Sequence, residues 1–460
     1  MALVFPKTLG RGSRVAPLAV AALLSGCAQY HAKPLPAVPD LRATLPSLIA
    51  SPRELRLPGV HPRPFDPRLG LSATQAAQFA VVADPRLRAL RRQRGLARAQ
   101  LFAAGLLPDP VFTLSAARVL STGPGLYDPR ALSLSEDLSR LITRGDARQA
   151  ARAHAYQVDL DVLWAEWQVA ARARMLWTEL RMDHREQVLL KRETRFYRTG
   201  IGAYRRAAAA GALTQIELAR WHAALVRVQD RAGIVARRVL VASADLRLLL
   251  GLANTAPLPL QGAVHRALPS PAAIAGALKA LPQRRPDLRA LAAGYRSADA
   301  RLRLQILAQF PGVSVQFSRG RDNNGIDTAG LAIGLRLPVF DGNRGRIAVA
   351  RATRHALRDH YQARLDASTI GVQRLYQVLR SLAREQRALG GTHLRHLRHI
   401  AARARRAFQS GALDWDRYAV AQQYYFERAQ LALRVERKLA EGRVTLQTLL
   451  GVPGLRRTPT

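Results

Sequence analysis

The sequence predicts an α+β fold: long α-helical hairpins interrupted by two pairs of β-strands, in a chain built of two similar halves. Three observations predict it. First, the stretch from Arg284 to Arg346 reads helix, strand, loop, strand, helix. A helical run ends before Pro311, an alternating segment carries Val313, Val315 and Phe317, and a turn-rich piece spans Gly320 to Asp327. A second alternating segment then carries Leu331, Ile333, Leu335, Leu337 and Val339. Second, the same order occurs earlier. Pro85 and Pro286, Pro110 and Pro311, Gly211 and Gly411, and Gly251 and Gly451 stand at shifts of 201, 201, 200 and 200, which marks internal duplication. Third, the pattern from Arg148 to Thr199 is helical for roughly 50 residues, or ~75 Å, longer than a compact globular domain needs.

Taken in order, the chain opens on a targeting segment. Lys7, Arg11 and Arg14 flank the apolar run from Val15 to Leu24, so residues 1–26 read as a signal peptide of the lipoprotein type. Leu24-Ser25-Gly26-Cys27 places the chain's single cysteine where a lipid joins the mature N-terminus, and a lone cysteine excludes an intramolecular disulfide. Residues 27–70 contain nine prolines and read as an extended strap. The first structural repeat is expected over 71–260 and the second over 261–460.

Helical patterns run over 72–107, 146–199, 214–250, 286–309, 344–410 and 414–450. Along the second, a stripe of Leu160, Trp164, Trp167, Ala171, Met175, Thr178 and Met182 recurs about every 3.67 residues, close to the period of a straight helix. Gly211 and Gly411 each suit the left-handed residue that ends a helix. Thr214 with Glu217 forms a capping box, and Asp414 is the matching cap in the second half. Leu213 with Leu218, and Leu413 with Tyr418, stand at the staple positions around these caps.

Strands are expected at Val111–Val119, Ala131–Leu138, Gly312–Ser318 and Ala329–Val339. Each approximates the length of a tilted membrane-crossing strand. Alternation such as Leu331, Ile333 and Leu335 against Gly330, Ala332 and Gly334 suits a membrane barrel, and equally a half-buried sheet. No segment beyond the signal has the ~18 uninterrupted apolar residues of a membrane helix, so a membrane span would have to be a barrel.

RRPDLRAL at 284–291, FPGVSV at 310–315 and LPVFDGNRGR at 337–346, with the repeated glycine–cap–helix–Leu-Leu-Gly order, resemble the TolC-type outer-membrane efflux protein family over about residues 70–453. The resemblance implies a homotrimer: a twelve-stranded barrel in the outer membrane, continued by a helical tunnel through the periplasm. Four strands cannot close a barrel alone, since the smallest have about 8. It also implies an adaptor protein and an inner-membrane pump as partners, no cofactor beyond a covalent lipid on Cys27, and lipid anchoring in the outer membrane. The periplasmic tip, with its adaptor contact, is expected at Gly211, Ala212, Leu213 and Thr214, and at Gly411, Ala412, Leu413 and Asp414. Family members often carry Asp at the constriction. Here Arg417 and Val420 occupy those positions, which would repel cations and attract anions.

Net charge is +39, from 71 basic and 32 acidic residues. Nucleic acid is nonetheless not expected as a partner, because the arginines are spread over every helical segment and no nucleic-acid motif occurs. A solvated, Arg-rich helix surface is the expectation. His393, His396 and His399 form a periodic run, but Arg395 and Arg398 interleave and no carboxylate or cysteine stands at matching spacing, so no metal site is expected. No nucleophile–base pattern or phosphate loop occurs, and an enzyme is not expected. The expected function is a passive efflux conduit. The exit duct of a protein secretion system shares the architecture, and a helical envelope scaffold is the third reading.

Overall fold

A computed structural model describes residues 30–45, 70–120, 123–209, 214–265, 267–390 and 392–451. The chain divides into two compact units, residues 1–41 and residues 42–460. In the first, residues 30–41 are exposed and form neither helix nor strand. The expected signal peptide, Cys27 and most of the 27–70 strap lie outside the described residues.

The second unit carries α1 (Ala73–Ala83), α2 (Pro85–Ala103), β1 (Val111–Ala116), β2 (Arg130–Asp137), α3 (Leu138–Ala209) and α4 (Gln215–Leu249). There follow α5 (Pro271–Lys279), α6 (Leu281–Arg284), α7 (Pro286–Leu307), β3 (Gly312–Arg321), β4 (Asp327–Arg336), α8 (Arg344–Gly390), α9 (Thr392–Gln409) and α10 (Trp415–Leu449). The expected helix over 72–107 is two helices. Pro85 lacks an N–H, and Asp84 caps a new helix by accepting from the backbone N–H of Arg86 (2.7 Å) and Leu87 (3.1 Å). The helix expected over 344–410 is described as α8 and α9.

α3 exceeds its predicted span at both ends. It starts where β2 stops and runs for 72 residues, roughly 108 Å at 1.5 Å per residue. Gly200 lies inside it for a packing reason. A Cβ there would stand 2.6 Å from the Trp221 ring and 2.7 Å from the Trp415 ring. α3 packs against α1, α2, α4, α7 and α10, and so organises the bundle. Of its predicted stripe, Leu160, Trp167, Thr178 and Met182 are buried, but so are Glu166, Asp183 and Glu186, so the buried face is not purely apolar.

Two main cores result. One joins Phe79 of α1, Leu176 and Leu180 of α3, and Leu246 and Leu249 of α4. The other joins Ile274 of α5, Val372 and Leu379 of α8, and Leu439 and Leu446 of α10. Each fully buried Leu here contributes ~1.5–3 kcal/mol by leaving water.

The motif at 284–291 ties the second core to α3. Arg285 is 1% exposed and forms a two-pronged ion pair with Asp287, at 3.0 and 2.7 Å. It also donates to the carbonyl of Leu449 (3.0 Å) and lies 5.0 Å from the Trp164 ring centroid. Arg364 of α8 reaches the same carboxylate at 2.7 Å. Burial opposes ionisation of Asp287, but the hydrogen bonds and charges of Arg285 and Arg364 outweigh it and hold the carboxyl below its usual range.

Candidate channel elements: an exposed sheet and the helix turns

The strands form one antiparallel sheet in the order β1-β2-β3-β4. Register decides what each face presents. Phe112 pairs with Leu134, Leu134 with Phe317, and Phe317 with Leu331, so one row of large apolar side chains crosses all four strands. Leu114, Leu132, Val313, Val315, Ile333 and Leu335 share that face by alternation. The opposite face carries Thr113, Ser115, Ser133, Ser135, Ser314, Gln316, Ser318, Gly330, Ala332 and Gly334. The apolar face is open: Phe112 is 64% exposed and Leu331 70%. β1 and β4 are edges of the sheet. β4 ends at Arg336, short of the predicted Val339, because Pro338 cannot donate to a ladder. Glu136 stands on the apolar face opposite Val315 and bounds the apolar row on β2 at the helix end.

The two hairpin loops touch at the other end of the sheet. The Tyr127 N–H donates to the Asn323 carbonyl (2.8 Å), and a Cβ on Gly325, where φ is +80°, would stand 2.9 Å from the Tyr127 ring. Asp322 accepts from the N–H groups of Asn324 and Ile326, both at 2.9 Å, which fixes the β3–β4 turn.

The second helix turn has the geometry its residues require. Gly411 has φ +75°, and the Ala412 N–H donates back to the Ala407 carbonyl (2.9 Å), a left-handed helix stop. Leu413 follows, and Asp414 caps α10 by accepting from the Arg417 N–H (2.8 Å). Thr214 caps α4 with Glu217 as a reciprocal box. Gly211, Ala212 and Leu213 lie outside the described residues. Arg417 and Val420 are both on the exposed side of α10, with Arg417 within 3.4 Å of Asp414.

Next to this turn lies a cluster that the helical period does not reveal. Phe196, Tyr197 and Tyr204 of α3, Trp221 of α4, and Trp415, Tyr418 and Phe426 of α10 form a continuous aromatic contact. The Phe196 and Trp415 rings stack with centroids 5.8 Å apart. Tyr204 donates to Asp416, and burial together with that carboxylate pushes the phenol up to about 12. The sequence shows these aromatic residues but not that they meet, since Phe196 and Trp415 stand more than 200 residues apart.

Midway along the bundle, part of the arginine content is internal. Asp183 and Glu186 of α3 are met by Arg238 of α4 at 2.8 and 2.7 Å, and by Arg437 of α10 at 2.5 and 3.0 Å. Arg231 adds a contact to Glu186 at 2.9 Å. Burial raises the Glu186 carboxyl, but the hydrogen bonds and charges of Arg231 and Arg238 overcome it and hold the carboxyl below its usual range. Beside the solvated arginines of the helix surfaces, three helices share an ionic tie around two buried carboxylates. His393, His396 and His399 sit exposed on α9, and no group of three potential metal ligands occurs among the described residues.

Residues 277–452 match the model of the outer membrane efflux protein family. No curated protein matches the chain in sequence. Solved structures match its fold. The outer-membrane channel OprN has a TM-score of 0.69 at 17% identity, over 82% of this chain and 89% of its own. CusC, described in terms of transmembrane channel formation, has 0.66 at 16%, over 92% and 99%. The open MtrE outer-membrane channel of Neisseria gonorrhoeae has 0.67 at 19%, over 84% and 91%. Residues 277–452 thus carry the sequence pattern of the outer membrane efflux protein family, and the chain as a whole shares the fold of these solved outer-membrane channels.

Proposed function

We propose that the protein is the outer-membrane channel of a tripartite efflux system, a passive trimeric conduit for small molecules from the periplasm to the exterior. One observation carries this reading. The sheet has an apolar face and a small polar face in register across all four strands, and its apolar face is exposed. In water such a sheet would be an aggregation site. In a bilayer it is one third of a barrel, with the apolar face toward lipid and β4 of one copy pairing with β1 of the next. Ten-residue β4 at ~3.4 Å per residue and a tilt near 45° rises roughly 24 Å, matching the ~25 Å apolar band of such barrels. The two halves, 71–260 and 261–460, act as equivalent repeats in each copy.

Unboiled protein from the outer-membrane fraction should migrate as a heat-sensitive trimer and conduct in planar bilayers. A heat-insensitive monomer without conductance would overturn the reading. Lipidation of Cys27 anchors the mature chain. Cys27→Ser should abolish incorporation of labelled fatty acid, and equal labelling of wild type and variant would refute the anchor.

The turns at Gly211–Thr214 and Gly411–Asp414 form the tip at which an adaptor binds and shifts the tunnel toward its open state. At Gly411 a Cβ would meet nothing within 4 Å, so Gly411→Val tests backbone conformation alone. A β-branched residue at φ +75° costs ~1–3 kcal/mol. Drug resistance and adaptor cross-linking should fall while trimers persist. Arg417 and Val420 line the constriction, so Arg417→Asp should turn bilayer selectivity toward cations. Unchanged ion selectivity would remove Arg417 from the pore.

A further inference from the structure

The sheet's apolar face ends, on the side away from the helices, in arginine. Register places Arg130 opposite Arg321, Arg321 opposite Asp327, and Arg319 opposite Leu132 and Ala329. By alternation all four of these charged residues lie on the face that carries Phe112, Leu134, Phe317 and Leu331. Arg319 lies six residues from Val313, roughly 20 Å along the strand, in the last apolar row beside Leu132, and Arg130, Arg321 and Asp327 form the row beyond it. Asp327 engages Arg321 at 2.8 Å. Arg130 and Arg319 are exposed, and neither has an ion pair among the described residues. Like charges directly opposite each other on adjacent strands destabilise a sheet. Asp327 offsets part of that repulsion, since it pairs with Arg321 and lies within the fields of Arg319 and Arg130, but one carboxylate against three guanidiniums leaves a positive surplus that a further anion would neutralise.

We propose that this arginine rim binds the phosphate groups of a lipid in the outer leaflet, of the bisphosphorylated glycolipid type. The inference rests on the channel reading, which puts this face toward lipid and this end toward the exterior. The chemistry fits on three counts. Guanidinium forks match phosphate oxygens in pairs, which a point charge does not. The Arg130–Arg321–Asp327 row lies at the edge of the apolar band, where headgroups lie, with Arg319 one row inside it, and acyl chains can run down Leu132 and Phe317. Threefold repetition would give three such rims around one barrel. The competing account is that the arginines merely reach into interfacial water, where a charge on the outer face costs little. It predicts no preference for phosphate.

The test uses the full-length trimer in phosphatidylcholine nanodiscs doped with lipid A, or with dephosphorylated lipid A, in the presence of chelator to remove metal-bridged contacts. Bound lipid is counted by native mass spectrometry. Wild type should retain bisphosphorylated lipid A at least fivefold over the dephosphorylated form. The Arg130→Gln/Arg319→Gln variant should lose that preference while still forming conducting trimers. Arg130→Lys/Arg319→Lys, which keeps the charge but not the fork, should fall between them. Equal retention of the two lipids by wild type overturns the proposal whether or not the variants assemble. So does an unchanged preference in the Gln variant. Failure of wild type to form conducting trimers would instead overturn the channel reading.

Discussion

Leu331→Arg should abolish the heat-sensitive trimer in the outer membrane, whereas Ala332→Arg, one residue away, should leave most of it. Leu331 ends the row Phe112–Leu134–Phe317–Leu331 that crosses the whole sheet, and it is 70% exposed. If that face meets lipid, an arginine there costs ~2–4 kcal/mol near the bilayer centre. In the proposed trimer the cost would recur in each of three copies of one closed barrel, so assembly should fail cooperatively. Ala332 faces the other way, opposite Gln316 and among Ser and Gly, where an arginine remains hydrated. Quantifying unboiled trimer in outer-membrane fractions decides the matter. Equal yields from the two variants would mean that the sheet does not present this face to lipid. The reverse order would mean that the two faces have been assigned the wrong way round.

The contrast between neighbours is also why the sheet is legible in the sequence. A period of two over eight or more residues, bounded by glycine, proline and asparagine, suits a paired strand and little else, and the observed strands lie within a few residues of the predicted ones. What alternation cannot supply is register. Which leucine meets which phenylalanine, and that Arg130 meets Arg321, depends on pairing between segments nearly 200 residues apart. Helix ends are legible where a side chain makes the cap, as at Thr214 and Asp414, and less so where packing overrides propensity. Gly200 would ordinarily weaken a helix, yet α3 passes through it because two tryptophan rings need the space. The short helices α5 and α6 went unpredicted although Ser270-Pro271 is a cap followed by a first-turn proline. Their runs are too brief to show a period. The duplication points to them, since α1 shifted by 201 residues falls on this stretch.

The candidate sites divide along the same line. Gly411 and Asp414 are local chemistry, and their geometry follows from the residue types. The aromatic lock of Trp221 and Trp415, the Tyr204–Asp416 contact and the tie through Asp183 and Glu186 are long-range. Nothing in a helical period distinguishes a carboxylate that points to water from one held by two arginines of other helices. Composition misleads here too. A surplus of arginine reads as surface, yet Arg285 is among the most buried side chains of the protein.

That burial gives the second large effect: Asp287→Ala should destabilise the protein by ~3–5 kcal/mol, the cost of leaving a buried guanidinium without its counter-charge. Arg285 would keep only the Leu449 carbonyl and the Trp164 ring, and Arg364 would lose its hold on α7. Heat-induced trimer dissociation, followed on gels, should move to lower temperature. Asp287→Asn, which keeps an acceptor, should cost less. Adding Arg285→Met to Asp287→Ala should recover part of the loss, because removing both charges leaves nothing unpaired. If the alanine and double variants were equally unstable, the pair would be no more than packing. The acid dependence supplies an independent check. The Asp287 carboxyl lies below its ordinary value of 3.8 in the folded protein. Its contribution is therefore fully present above that value and is lost as pH falls through the lower, folded one. The stability gap between wild type and Asp287→Ala should stay constant from neutral pH down to about 4 and narrow below it. A gap unchanged into stronger acid would mean that the carboxylate charge is not what holds Arg285 in place.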